Sequence, residues 1–247
     1  LVPVRSLLWL LPLLGIAHGM PRERPLLKLT TLDVGMGTSL VVQTRHHALI
    51  YDFGRGNRQG YSLGQWVVEP YLQHEGISVP DLVVISHADQ DHMGGLYAIT
   101  NRFQFTPVYS GTPNEVRQKI PELDYVRSCH HQPGWHWDGV RFEFLSVPGI
   151  TPHGRNNRSC VLSIRLGSRH ILLTGDIEAR QELMLAARFQ HQLAADVLIS
   201  PHHGSRTSSS PEFVRRVAPT VVIHSSGFLN RWHFPRASVV KRYAEIG

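Results

Sequence analysis

The chain has 247 residues, 42% of them hydrophobic and 18% charged, which is enough to bury one large core or two small ones and excludes a disordered polypeptide. Its formal charge of +6 and pI near 9.7 suit a polyanionic partner such as nucleic acid. Two cysteines exclude a four-thiolate zinc site, while sixteen histidines supply ligands suited to borderline metals.

The N-terminus reads LVPVRSLLWLLPLLGIAHGMPRERP. Its apolar stretch, Leu7 to Ala17, falls short of the about 20 residues that span a bilayer. It reads as a signal-peptide core, with Arg5 before it and the small-residue patch Gly15–Gly19 after it. Alternatively it is the end of a membrane helix that begins outside this chain, or a buried helix. Residues 1–25 are therefore set apart as an export or membrane segment with a linker, and 26–247 as one domain.

After Pro25 the pattern turns to short β-type runs at 27–34, 39–44 and 48–51, separated by GMG and RHH turns. Helical spacing follows over 62–75 and stops at Gly76. The run DLVVIS at 81–86 is continuously apolar, as a strand buried on both faces requires. A helix is predicted from near Gly94 to about Arg102, and Thr112-Pro113-Asn114-Glu115 has the form of a capping box. The segment WHWDGVRFEFLSV predicts a hairpin turning at Asp138–Gly139. Strands are predicted at 160–166, 170–174, 196–200 and 220–225. Ala179, Leu183, Ala186 and Leu193 mark an amphipathic helix, and Ser210-Pro211-Glu212 caps another. Strand pairs alternating with helices imply an α/β fold of two sheets with helices outside.

The segment SHADQDHMGG, 86–95, carries the chemistry. It leaves the apolar strand at its end, where α/β sheets build their sites. Within it His87, Asp89, Asp91 and His92 are all competent metal ligands. Packed this densely, they repel or lie unsatisfied unless a cation holds them. The blander reading is a polar loop that caps the next helix.

His87-Ala-Asp89-Gln-Asp91-His92 resembles the H-x-H-x-D-H signature of the metallo-β-lactamase superfamily, with Asp89 where most members carry His. LDVGMGTSLVV (32–42), YDFG (51–54), NNRSCVL (156–162), LLTGDIE (172–178), ADVLISPHHGSRTSSS (195–210) and SGFLNRWHFPRASVV (226–240) resemble one branch, the C-terminal domain of the ComEC family of DNA-uptake channels. The resemblance covers nearly everything after residue 26 and implies an αββα sandwich with a two-metal site. By position, His87 and Asp89 would hold the first ion, Asp91 and His92 the second, and Asp176 would bridge both. His202 is the preferred residue to complete the second ion, with His203 a catalytic, outer or substrate-contacting group and the alternative ligand. For the last corner of the first site, Asn157 is the choice by resemblance over His153 and Ser159. This oxygen-rich donor set leaves Mn²⁺ and Zn²⁺ as the leading ions. Two ions about 3.5–4 Å apart would activate water and clamp a phosphodiester, with Asp91, Asp176 and His203 as the catalytic residues.

Farther out, Asp52 and His233 are expected behind the ligands. Ser205, Arg206, Thr207 and Arg231, with Gly204 and Ser208, are candidates for substrate phosphate, although the hydroxyls serve equally well as caps. Trp135 and Trp137 either stack on bases or pack the hairpin. Arg155 and Arg158 would add attraction for the backbone without sequence readout. The resulting expectation is a divalent-metal nuclease acting on single-stranded DNA without sequence specificity, monomeric as a domain and attached to its own membrane channel. It would belong to an inner-membrane protein, face the periplasm or cell exterior, and degrade the strand that is not transported. Cys129 and Cys160 would bridge in that compartment. A small-molecule hydrolase and a non-catalytic DNA-guiding module are the alternatives.

Overall fold

The computed structural model describes residues 25–150 and 152–246. The expected export or membrane segment thus lies outside the described residues but for Pro25. No helix among the described residues is long and apolar enough to cross a membrane.

Among the described residues, twelve strands form two sheets of six. The first sheet runs in order β1 (Leu27–Thr31), β2 (Leu40–Thr44), β3 (Ala48–Tyr51), β4 (Leu82–Ile85), β5 (Val108–Ser110) and β6 (Val126–Ser128). In the second, β12 (Val221–Ile223), β11 (Val197–Ile199), β10 (Arg169–Leu173), β9 (Leu162–Leu166), β8 (Val140–Phe144) and β7 (Trp135–Trp137) follow one another. Each sheet joins an antiparallel meander to a parallel stretch. In the first, β1–β3 are antiparallel and β3–β6 parallel; in the second, β7–β10 are antiparallel and β10–β12 parallel.

The period of two in the strands divides the core into three. Leu40, Val42, Leu49, Tyr51, Leu82 and Val84 point between the sheets and meet Phe142, Phe144, Leu162, Ile164 and Ile199. Their neighbours Val41, Ile50, Val83 and Ile85 point the other way, onto helices α1 (Glu69–His74), α2 (Gln90–Met93) and α3 (Pro113–Lys119) through Leu72, Met93 and Val116. Leu172 and Leu198 do the same for α4 (Ala179–Phe189), α5 (Pro211–Val217) and α6 (Ala237–Ala244). Burying each such side chain contributes about 1.5–3 kcal/mol. The αββα sandwich expected from the resemblance is therefore the observed architecture.

The differences are local. The helix predicted from Gly94 begins earlier, at Gln90 inside the motif, and continues as 3₁₀ turns over Gly94–Ala98 and Thr100–Arg102. Gly94 and Gly95 are pressed onto the backbone of Gly56 and Gly64, which leaves no room for a regular helix with side chains there. The predicted helix over 62–75 opens with a wide turn at Gly64–Val68 before α1. Leu183 is 48% exposed and lies off the buried stripe of α4, whereas Glu182 is buried because its carboxylate accepts from Ser209 N–H (2.5 Å) and Ser210 N–H (2.6 Å). Thr112 precedes α3 without capping it; its hydroxyl accepts instead from Ala88 N–H at 2.9 Å. The hairpin turns at Asp138 (φ 51°) and Gly139 (φ 83°), the pair of positive φ values that a tight two-residue turn needs.

Candidate metal centre

The centre sits where β4, β10 and β11 end and their loops converge. β4 delivers His87, and α2 then presents Asp91 and His92. The loop after β10 brings Asp176. The turn after β11 brings His202 and His203, both at positive φ (49° and 56°). Such conformations are unfavourable for residues other than glycine and persist only where the surroundings enforce them.

Three imidazoles share one arrangement, with Nδ1 engaged and Nε2 free. His92 Nδ1 donates to Asp52 Oδ2 at 2.7 Å. His87 Nδ1 lies 3.1 Å from Ser86 Oγ and 3.3 Å from Ser159 Oγ. His203 Nδ1 donates to the Ser225 carbonyl at 2.8 Å. Nε2 of His87, His92 and His203, together with Asp176 Oδ1, are buried and make no hydrogen bond. Buried polar atoms are normally paired, so four orphans facing one point require a partner that protein atoms do not supply. A divalent cation fits this donor set, and an outer acceptor on Nδ1 is the usual means of fixing a histidine ligand's tautomer.

The donors fall into two overlapping sets, His87, His92 and Asp176, then Asp91, His92 and His203, with the ligand atoms of each set within 4.8 Å of one another. Asp176 joins them: its Oδ1 is 3.2 Å from His92 Nε2, and its Oδ2 is 3.5 Å from His203 Nε2 and 4.0 Å from His87 Nε2. Burial alone would push these imidazoles toward the neutral form. The carboxylates outweigh it, raising His92 well above its ordinary value and His203 to about 9. Burial likewise favours the neutral carboxyl, but the facing imidazoles hold Asp91 at about 2 and Asp176 well below the usual range. Protons and a cation therefore compete for the same Nε2 atoms.

Several expectations require correction. His203, not His202, lies in the set with Asp91 and His92, 3.6 Å from Asp91 Oδ2. His202 is partly exposed at the rim, 3.8 Å from Asp176 Oδ2, with Nδ1 beside Thr207 Oγ1 (3.1 Å). Burial lowers its pKa. Asn157 is spent elsewhere: its amide donates to the His153 carbonyl (3.0 Å) and its oxygen accepts from Glu178 N–H (2.8 Å). That pairing ties the 156–158 turn to the loop that carries Asp176. Asp89 is 3.5 Å from His87 Nε2 but also accepts from Arg155 Nη1 at 2.6 Å, and Arg155 continues to Glu115 at 3.0 Å. Despite partial burial, His87 and Arg155 hold Asp89 well below the carboxylate range.

Among the outer residues, Asp52 is fully buried and accepts from Ser86 N–H (2.7 Å), Ser86 Oγ (2.7 Å) and His92. His233 is exposed, and no hydrogen bond links it to the cluster among the described residues. Ser205 Oγ and Thr207 Oγ1 bond one another at 3.1 Å, and Ser208 Oγ donates to Pro201 and Ser205 carbonyls. These hydroxyls thus brace the 201–208 turn. Arg206 and Arg231 are exposed. Trp135 and Trp137 pack on Phe142 in the hairpin, at 5.1 and 5.2 Å between centroids. Cys129 and Cys160 are disulfide-bonded, tying the end of β6 to the approach to β9. Ser159, weighed in the sequence as a ligand, instead stands behind His87; Ser86 and Ser225 were not singled out, and of these only Ser86, adjacent to His87 at the end of an apolar strand, carried a visible signal.

A family model described as metallo-beta-lactamase superfamily matches residues 32–223. "Recombination protein 2" of Haemophilus influenzae is 36% identical over 220 residues, 89% of this chain and 27% of that protein. "Competence protein ComA" of Neisseria gonorrhoeae is 34% identical, over 88% of this chain and 30% of its own length. The chain thus spans under a third of these relatives. Among solved structures, the metallo-beta-lactamase fold protein YhfI from Bacillus subtilis superposes with a TM-score of 0.55 at 16% identity, covering 88% of this chain and 92% of that one. That likeness concerns the fold.

Proposed function

The chain belongs to the metallo-β-lactamase superfamily, whose members are metal-dependent hydrolases, and on that footing we propose that it is a nuclease domain cleaving phosphodiester bonds of single-stranded DNA. The observation that carries the reading is the convergence of three unpaired Nε2 atoms on Asp176 at the mouth of the sandwich. Asp91, His92 and His203 would hold one cation and His87 and Asp89 a second, with Asp176, which faces all three imidazoles, available to either. Bound there, divalent cations such as Mn²⁺ or Zn²⁺ lower the pKa of water and neutralise charge developing on phosphoryl oxygens.

The protein's own residues do the positioning. Asp52 fixes the tautomer of His92, the Ser86 and Ser159 hydroxyls fix His87, and the Ser225 carbonyl fixes His203. The similarity to competence and recombination proteins and the charge of +6 support DNA as substrate, and DNA uptake as the setting. In that setting the domain is part of a larger inner-membrane protein, faces the periplasm or cell exterior, and degrades the strand left behind.

A second reading, a DNA-guiding module without catalysis, is favoured by the Asp89–Arg155–Glu115 ion pairs and by the engagement of Asn157, which reduce the free donors at the first ion. Cleavage of labelled single-stranded DNA by the Mn²⁺- or Zn²⁺-loaded protein, with Asp91→Ala as control, decides. Cleavage lost in the variant supports the nuclease. Metal and DNA binding without cleavage establishes the guiding module. Faster hydrolysis of lactones or thioesters than of DNA would reject both.

A further inference from the structure

Two loops flank the metal centre. The first, residues 54–62, follows β3: Phe53 N–H donates to the His92 carbonyl at 2.6 Å, and a Cβ on Gly56 would lie 2.4 Å from the Gly94 carbonyl oxygen. The second, residues 224–235, follows β12: its Ser225 carbonyl holds His203, and its Ser225 hydroxyl donates to Gly37 at 2.6 Å. The loops come from different sheets and meet where the Arg55 guanidinium lies 6.0 Å from the Trp232 ring centroid. Arg231 covers the same ring at 4.1 Å.

Their surface composition is unusual for a solvated rim. Phe228 is 94% exposed, and Trp66, just past the first loop, is 54% exposed and packs edge-on against Tyr61 at 5.1 Å. Phe228 also lines an open cleft of about 480 Å³ that Phe234 and Pro235 wall on another side. A lone exposed aromatic needs no explanation, but these alternate with unneutralised guanidinium groups. Arg155 and Arg58 are drawn to Glu115 and Glu122. Arg55 and Arg231, by contrast, meet no carboxylate among the described residues, and Arg55 Nε is buried without a hydrogen-bond partner. Aromatic faces interleaved with free arginines are the arrangement that binds a single strand without regard to sequence: rings take the bases, and guanidinium groups take the phosphates.

We infer that the 54–62 and 224–235 loops form a single-stranded DNA platform, Phe228 stacking on a base while Arg55 and Arg231, gathered around the Trp232 ring, hold the backbone that leads to the metal centre. The inference rests on the nuclease reading above and identifies its binding surface. The base-stacking role moves from Trp135 and Trp137, which the hairpin consumes, to these loops.

The test uses the full chain freed of metal with EDTA, so that binding is read without cleavage, and follows fluorescence anisotropy of a labelled oligodeoxythymidylate. Phe228→Ala should weaken binding roughly tenfold, as removal of one stacking ring does, and Phe228→Trp should restore it. Arg231→Gln should weaken binding and flatten the log–log salt dependence by about 0.7, one phosphate contact fewer. Unchanged affinity in both variants overturns the platform; if metal-loaded protein still cleaves the strand, the nuclease reading survives that result. Absence of both binding and cleavage in the parent protein rejects the nuclease reading itself. If Phe228→Ala instead abolishes co-sedimentation with anionic phospholipid vesicles and leaves oligonucleotide binding intact, the loop is a membrane contact and the platform is wrong.

Discussion

Replacing Asp52 with Asn removes one charge and keeps the shape. Asp52 is fully buried at φ 60°, a conformation that Asn tolerates, so the backbone has no reason to move. In the parent, Oδ1 accepts from Ser86 N–H, while Oδ2 accepts from both Ser86 Oγ and His92 Nδ1–H, all at 2.7 Å. An amide keeps one acceptor and presents N–H where Oδ2 stood. Two donors then face one another, and the less unfavourable resolution moves the imidazole proton to Nε2, the atom directed at Asp176. A ligand lone pair is thereby lost. Disturbing such an outer partner weakens metal binding by roughly 10–100-fold, or about 1.4–2.7 kcal/mol. Competition against a chromophoric chelator measures it, with circular dichroism to verify the fold. A folded Asp52→Asn protein with the parent's metal affinity would refute the tautomer argument.

Further outcomes are expected away from the ligands. Cys129 and Cys160 close a separation of 31 residues, so the double Ala variant should lose about 3–4 kcal/mol of stability on chain-entropy grounds; an unchanged urea midpoint would contradict this. Gly37 sits at φ +141°, where a Cβ would lie 2.3 Å from the Asp91 carbonyl oxygen. Gly37→Ala should therefore cost about 2 kcal/mol, a drop of roughly 4–8 °C in Tm, and weaken metal binding by shifting Asp91. His170 is buried between the Ser163 hydroxyl and the Ala194 carbonyl, and burial lowers its pKa from 6.5 to about 4. The unfolded chain thus binds the proton first. Stability present above pH 6.5 is lost as pH falls toward 4, by at most about 3 kcal/mol, and His170→Asn should flatten that part of the Tm profile.

The sandwich was legible because its strands are short and patterned: DLVVIS, the Asp138–Gly139 turn and the alternation in β2–β4 follow from periodicity alone. Helix boundaries around 90–102 were not, because close contact between Gly56, Gly64, Gly94 and Gly95 overrides local propensity. In the centre, the dense 87–92 motif was visible, and Asp176 followed from the resemblance. The exchange of His202 for His203 was not accessible to sequence. Both precede Gly204, and only the left-handed turn and the Ser225 carbonyl determine which ring points inward. The engagement of Asn157 and the Arg155 pair with Asp89 depend on tertiary contacts 21 and 66 residues apart. The aromatic loops were obscured for another reason. Trp135 and Trp137 are as conspicuous in sequence as Trp232, and only their partners separate them: Phe142 in the hairpin for the first two, the Arg231 and Arg55 guanidinium groups for the third.

Equilibrium dialysis against Mn²⁺ and Zn²⁺ with elemental analysis, on the parent and on Asp176→Ala, is the most direct test of the cation-holding cluster. The parent should bind tightly, with uptake releasing protons at neutral pH, and the variant should lose most of that binding. If the folded variant takes up the same amount with the same affinity, Asp176 and the unpaired imidazole nitrogens around it do not form the site.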